Sequence, residues 1–276
     1  NIDVIVSNSK CADLYNYVRP NIKNNTKSYV KAKQLRHPIT ERISSDTDYV
    51  PNDIELGIDN NDGMIITGLN GVGKSVLIKM VATSIIMAQS GMFVAAEEFE
   101  YAPYNHIISR IGNTDNILKG QSTFVKEMME LSTILKRSNE TTLVIADELC
   151  SGSEYMSAQS ILASTIITLA RHKCSFMFTT HLHGIMKIEE IQNINNINFF
   201  YLDVTFDADK DLLIYHRKLT KGCSDTLYGI EVSKYIIHDS EFISMANKIR
   251  SKLTNTSTEI LTPKPSKYNA EVFMDK

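Results

Sequence analysis

The chain has 276 residues, enough for one large core or two modest domains, and 43% hydrophobic with 22% charged residues is the composition of a folded globular protein. A formal net charge of −3 excludes a global basic signature for nucleic acid. No apolar run reaches membrane-spanning length, and no signal-peptide pattern opens the chain.

From Ile2 onward, Val4, Ile5, Val6, Leu14, Tyr15 and Val18 follow a loosely helical pattern as far as Arg19-Pro20, where proline should end it. The chain opens at Asn1 as if inside a helix, so it reads as a piece of a longer protein. Residues 21–27 are polar and loop-like. Residues 29–35, then Arg36-His37-Pro38, suggest a strand and loop, and residues 44–61 suggest surface turns around a short strand at 53–56. Residues 64–67 are a short apolar strand that enters a glycine-rich loop. A helix over 75–87 follows, with Val76, Leu77, Met80, Val81 and Ile85 at helical spacing.

Residues 92–95 and 106–111 read as short strands, and 122–136 as an amphipathic helix with a small polar start at Ser122-Thr123. The run 142–146 is continuously apolar, as buried parallel strands are, and meets Asp147-Glu148 at once. A helix over 156–170 and an apolar strand over 175–179 follow, the latter ending in Thr180-His181. Residues 198–206 and 212–217 flank an Asp/Lys turn and predict a β-hairpin. Helices at 228–237 and 241–253 precede a Pro-, Ser- and Thr-rich tail with the character of a linker. Strands alternating with helices predict an α/β fold with a largely parallel sheet. Cys11, Cys150, Cys174 and Cys223 are widely spaced, with no C-x-x-C pair. They read as buried free thiols of an intracellular, reducing compartment rather than a zinc site.

The chemistry concentrates at the glycine loop. Gly68, four residues, Gly73, Lys74 and Ser75 make G-x-x-x-x-G-K-S between a strand and a helix. Glycines let successive backbone N–H groups turn inward around a polyphosphate, and the following helix N-terminus favours anions. Lys74 reaches the β- and γ-phosphates in this pattern, and the Ser75 hydroxyl holds Mg²⁺. The backbone from Gly68 through Asn70, Gly71, Val72, Gly73 and Val76 is the expected cradle for a nucleotide's polyphosphate. Asp147, at a strand end, is the candidate metal carboxylate, and Glu148 the candidate that orients or deprotonates an attacking water. His181 ends another strand, where ligands gather in open α/β sheets, and is a candidate for contact with the γ-phosphate or that water. Gly120-Gln121-Ser122-Thr123-Phe124 is a second glycine–hydroxyl helix start. On residue chemistry alone it is equally an anion site or a simple cap.

From residue 35 to about residue 235 the chain resembles the ATPase domain of the MutS family of DNA mismatch-repair proteins, which are P-loop ATPases of the ATP-binding-cassette class. Arg36-His37-Pro38 resembles the family's RHP segment. Tyr49 to Asp53, with Leu56, resembles YVPND, and Thr67 to Ser75 resembles TG-x-N-x-x-GKS with Asn70 at the loop asparagine. Gly120 to Phe124 with Glu127-Met128 is similar to GRSTF-x-x-EM. Leu143 to Leu149 resembles the Walker B strand, Thr180-His181 the later TH, and Gly222 to Gly229 the G-x-C-D-x-S-[YF]-G segment.

The resemblance implies an ABC-type fold: a mostly parallel central sheet flanked by helices, with an antiparallel β subdomain. It implies ATP and Mg²⁺ as ligands, with Lys74 and Ser75 on phosphates and metal, Asp147 on the metal, Glu148 activating water and His181 sensing the γ-phosphate. Ser122 would act in trans, on nucleotide held by a second MutS-like subunit, so a homodimer with composite sites is expected, with mismatched double-stranded DNA bound by upstream domains and no membrane partner. Residues 1–34 would be the end of a helical lever and a connector, 35–253 the ATPase domain and 254–276 a tail. Departures include Gln121 where Arg is common, Asn116 in place of a second acid, Ala95 in place of proline, and Leu149-Cys150-Ser151-Gly152-Ser153 in place of an I-G-R-G-T-type run. None removes a catalytic group, so DNA-dependent ATP hydrolysis is expected. The alternatives are a hydrolysis-deficient nucleotide-gated scaffold and a MutS-like protein acting on recombination junctions. A transporter subunit is disfavoured because Gly120 to Phe124 is not an LSGGQ-like signature.

Overall fold

The computed structural model describes residues 2–43, 49–112, 123–150, 153–207, 212–222 and 229–254. Its strands are β1 (Asn21–Ile22), β2 (Tyr29–Leu35), β3 (Asn52–Leu56), β4 (Gly63–Thr67), β5 (Glu98–Ala102), β6 (His106–Arg110), β7 (Thr142–Asp147), β8 (Ser175–Thr180), β9 (Ile197–Asp207) and β10 (Leu212–Lys221). The helices are α1 (Ile2–Tyr15), α2 (Thr40–Ile43), α3 (Lys74–Gln89), α4 (Thr123–Arg137), α5 (Tyr155–Arg171), α6 (Glu189–Gln192), α7 (Gly229–Ile237) and α8 (Ser240–Thr254), with a 3₁₀ turn at His183–Lys187.

Six strands form one sheet in the order β10-β9-β4-β8-β7-β6, parallel throughout except for the antiparallel β9–β10 hairpin. Parallel strands need crossovers, and α3, α4 and α5 supply them. The central strands are apolar on both faces because both are covered. Met64 and Ile66 of β4, Leu143 and Ile145 of β7 and Met177 of β8 join α3 in one core. The alternate residues, Ile65, Val144, Ala146, Phe176 and Phe178, join α4 and α5 in the second. A period of two thus sorts five-residue runs into two cores. Gly63 is required by that packing: a Cβ there would lie 2.2 Å from the Phe176 ring.

A four-stranded sheet of order β1-β5-β2-β3 closes over the α3 side. It is antiparallel at β2–β3 and β2–β5, and its β3 alternates buried and exposed residues as a one-sided strand should. The expected architecture, a mostly parallel sheet flanked by helices with an antiparallel β subdomain, is therefore the one observed.

Several boundaries differ from the sequence reading. The first helix ends at Tyr15 rather than at Pro20, because Asn16 takes the left-handed conformation (φ 53°) that terminates helices. Residues 92–95 are no strand: Val94 makes a single bridge to Val18, and Arg36 N–H uses the Ala95 carbonyl (2.8 Å). The strand lies instead at β5, where Phe99 and Tyr101 point inward between surface glutamates. Residues 21–22 are not loop but a two-residue strand beside β5. The hairpin's second strand runs four residues past Arg217, because a bulge between Tyr215 and Leu219 absorbs the charged His216-Arg217-Lys218 run before pairing resumes. Asn52 holds that bulge: its Oδ1 accepts from Leu219 N–H (2.7 Å) and its Nδ2 donates to the Arg217 carbonyl (3.1 Å). Cys150 and Cys174 are buried thiols, but Cys11 is exposed, and Cys223 lies outside the described residues. Among the described residues no helix is long and apolar enough to cross a membrane.

Candidate functional site

The registers of the central strands bring the expected site residues to one rim. Thr67, the last residue of β4, pairs with Thr180 of β8, and Asp147, the last of β7, pairs with Thr179. The loop from Gly68 to Gly73, the Asp147-Glu148 pair and His181 therefore leave three adjacent strands at the same level. This is the carboxyl edge of an open α/β sheet, where ligands bind.

The loop has the backbone that its glycines predict. Gly68, Gly71 and Gly73 have φ of 141°, 81° and 106°, a region in which L side chains are strained. Val72 is buried in the α3-side core, so it offers a ligand only its backbone. Gly71 and Asn70 are exposed. Gly73 stands at the N-cap of α3, which has no side-chain cap and no acidic residue in its first turn. The first N–H groups of this 16-residue helix thus have neither a side-chain cap nor an acidic residue of their own turn. Ser75 and Val76, both half-buried, sit in that turn.

Lys74 is 5% exposed and folds across the loop. Its Nζ donates to the carbonyls of Gly68 and Leu69, both at 2.7 Å, with Asn70 Oδ1 at 3.5 Å. Burial pulls its pKa below the ordinary lysine value, while the charges of Glu148 and Asp147 push it back up. Those two carboxylates are therefore near enough to act electrostatically on the loop lysine.

Thr179 organises the acidic pair. Its hydroxyl donates to Asp147 Oδ1 and accepts from Glu148 N–H (3.1 Å). Glu148 N–H also reaches the Thr179 carbonyl (3.2 Å), and Glu148 itself is left-handed at φ 49°. The chain turns sharply away from β7 there, so Glu148 does not continue the strand alternation that ends at Asp147. Both are partly exposed, and His181 is exposed at the end of β8. Sequence reasoning passed over Thr179, whose signal was only a Thr-Thr-His run.

The donor set fits a polyphosphate with Mg²⁺. One hydroxyl and one carboxylate beside an uncapped helix N-terminus match a cation that takes few protein ligands and completes its shell with phosphate oxygens and water. Among the described residues no cluster of three or more His, Cys, Asp or Glu could hold a metal without such help. Ser122, with Gly120 and Gln121, lies outside the described residues. His37 proves structural: it is 8% exposed, its Nδ1 accepts from the N–H groups of Ile39 (3.2 Å) and Thr40 (3.3 Å), and burial lowers its pKa.

Comparison with known proteins gives the family. The family model described as MutS domain V matches residues 64–254. A MutS homolog of Acanthamoeba polyphaga mimivirus is 38% identical over 99% of this chain and 28% of its own length. The mitochondrial DNA mismatch repair protein MutS homolog of Sarcophyton glaucum is 38% identical over 99% of the chain and 28% of its own length. The DNA mismatch repair protein MutS of Finegoldia magna is 34% identical over 95% of the chain and 30% of its length. The chain spans less than a third of the curated relatives it matches. A family model that takes in most of the chain, including the loop and both strand ends that form the rim, makes this chain a member of the MutS family, in its domain V.

Proposed function

We propose that this chain is the ATP-binding and ATP-hydrolysing domain of a MutS-like DNA mismatch-repair protein, with residues 35–253 as the nucleotide-binding unit. MutS family members are ATPases in general, use Mg²⁺, and work as dimers on mismatched DNA. The observation that carries the reading for this chain is the shared rim of β4, β8 and β7, with the loop, the acidic pair and His181 side by side.

In this reading the loop N–H groups and the first turn of α3 hold the phosphates, and Lys74 turns from the Gly68 and Leu69 carbonyls to the β- and γ-phosphates. Ser75 and Asp147 would hold Mg²⁺, which when bound neutralises charge on the phosphate oxygens. Glu148 takes a proton from a water that attacks the γ-phosphorus, as the bond to the ADP oxygen breaks. Thr179 fixes the carboxylate of Asp147 and the backbone of Glu148, and His181 contacts the γ-phosphate. Ser122 of a second copy would complete the site, so ATP would favour a closed dimer and hydrolysis would reset it, through different affinities of ATP and ADP for the two arrangements. Mismatched DNA would be read by parts of the protein outside this chain.

Steady-state hydrolysis by the intact protein, with Lys74→Ala and Glu148→Ala variants, tests the assignment. Both should lose at least about 100-fold in turnover, the scale typical of removing a general base or a main transition-state contact. Lys74→Ala should also weaken nucleotide binding, whereas Glu148→Ala should retain it. Undiminished turnover in both variants would overturn the reading.

A further inference from the structure

The loop after β7 is held from a second direction, by a side chain the proposed chemistry does not use. Glu127 lies on α4, one turn into the helix, and is 2% exposed. Its carboxylate pairs with Arg110 Nη2 at 2.9 Å and accepts a hydrogen bond from the backbone N–H of Cys150. Arg110 ends β6 and pairs in register with Ala146, the residue before Asp147. One buried carboxylate thus joins three elements: the end of β6, helix α4, and the segment two residues beyond Glu148. Glu130, on the same helix, faces Arg110 Nε at 3.2 Å from the solvent side.

That segment needs an anchor. Glu148 and Cys150 both have left-handed backbones (φ 49° and 67°) although neither is glycine. Such conformations persist where surrounding contacts over-determine them. Thr179 holds the Glu148 N–H on one side, and Glu127 holds the Cys150 N–H on the other, with Leu149 buried between them. Burial first and the Glu127 charge second push the Cys150 thiol up to about 11.

We propose that Glu127 is a positioning residue for hydrolysis: by holding the Cys150 N–H against the Arg110-paired carboxylate, it fixes the turn that carries Glu148, and so ties the placement of the proposed base to the placement of α4. This rests on the reading of Glu148 as the base. Arg110 orients the Glu127 carboxylate through their ion pair, and the carboxylate oxygen supplies the acceptor.

The test separates anchor from chemistry. Turnover of the unmodified intact protein is measured first; its absence would defeat the ATPase reading itself. Variants Glu127→Ala, Glu127→Gln and the double replacement Glu127→Leu with Arg110→Met are then compared. The double variant removes the acceptor without stranding a buried charge, and paired apolar replacements of this kind fold well, so it serves where Glu127→Ala does not fold. Two quantities are read: amide hydrogen exchange in the peptide containing Leu149 and Cys150, and kcat against ATP affinity.

Loss of the acceptor should speed that exchange at least about tenfold, with exchange in β4 and β8 unchanged, and should lower kcat at least about tenfold with ATP affinity within about threefold, the split expected when only the transition state loses a contact. Glu127→Gln keeps an acceptor oxygen and should retain at least about a third of kcat. Unchanged exchange in both acceptor-free variants overturns the anchor, whether or not the protein hydrolyses ATP. Faster exchange with unchanged kcat overturns the role in hydrolysis.

Discussion

The strands that end at the carboxyl rim and the helix α1 are both built from short apolar patterns, yet they solve opposite problems. In those strands Ile65, Ile66, Val144, Ile145, Phe176 and Phe178 are fully buried, and each strand is hydrogen-bonded on both sides. In α1 no residue is buried; Ile2 is 79% and Leu14 71% exposed. The helix touches the body through polar contacts, such as Asn8 accepting from Phe93 N–H and Arg36 donating to the Tyr15 carbonyl. Burial in this chain is therefore concentrated in the strands that carry the phosphate loop and acidic pair. A site that must hold Glu148 and Lys74 at fixed positions needs that contrast.

The largest effect should come from cutting the rim's support. Phe176 is fully buried in β8, packs on Phe178 with ring centroids 5.1 Å apart, and fills the space that Gly63 leaves open. Phe176→Ala removes its transfer free energy and leaves a cavity between two strands that both run to the site. It should cost about 3–5 kcal/mol of stability, measured by urea unfolding of this chain. A loss below about 1 kcal/mol would mean that the sheet centre is no firmer than its margins.

Next in size is the stitch between the two sheets. Asn52→Ala strands the Leu219 N–H and the Arg217 carbonyl at the β10 bulge, where Arg217 is already left-handed. Losing two part-buried hydrogen bonds should cost about 0.5–1.5 kcal/mol. Hydrogen exchange at Leu219 should rise in the same variant, while exchange in β7 and β8 stays as it was.

These two cases also show what the sequence could and could not reveal. The phosphate loop was legible because its chemistry is local: Gly68 to Ser75 is one turn, and strand and helix must flank it. Asp147 was legible because a carboxylate that ends a continuous apolar run has few other reasons to stand there. β5 was missed because Glu98 and Glu100 mask the alternation of Phe99 and Tyr101, while the more apolar residues 92–95 drew the assignment. Asn52, Arg110, Glu127 and Thr179 were missed as partners for a different reason. Each acts across 17 to 167 positions of chain, or through a strand register, and no local pattern records such a pairing.

A smaller effect depends on pH. Burial lowers the pKa of His37 below its ordinary value of 6.5, and its Nδ1 accepts two N–H bonds at the start of α2. The unfolded chain therefore binds the proton more readily than the folded one. The stability that the neutral ring supplies is present above the unfolded value and is lost as pH falls below about 6.5. Between pH 7.5 and 5.5 the urea midpoint of this chain should fall further than that of His37→Gln. Equal slopes would show that the ring is protonated in place.

The smallest expected effect closes the comparison from the side of α1. Ile5 is 67% exposed and lies in a helix without a buried residue. Ile5→Ser removes apolar surface that is already in water, so the transfer term that dominates at Phe176 is nearly absent. The change in stability of this chain should stay within about 0.5 kcal/mol, and helix propensity barely separates the two residues. Turnover and the exchange rates of β4, β7 and β8 should not move. A loss of 2 kcal/mol or more would require α1 to pack on the body through a face that its exposure does not show, and the contrast between a rigid rim and a loosely attached helix would then fail.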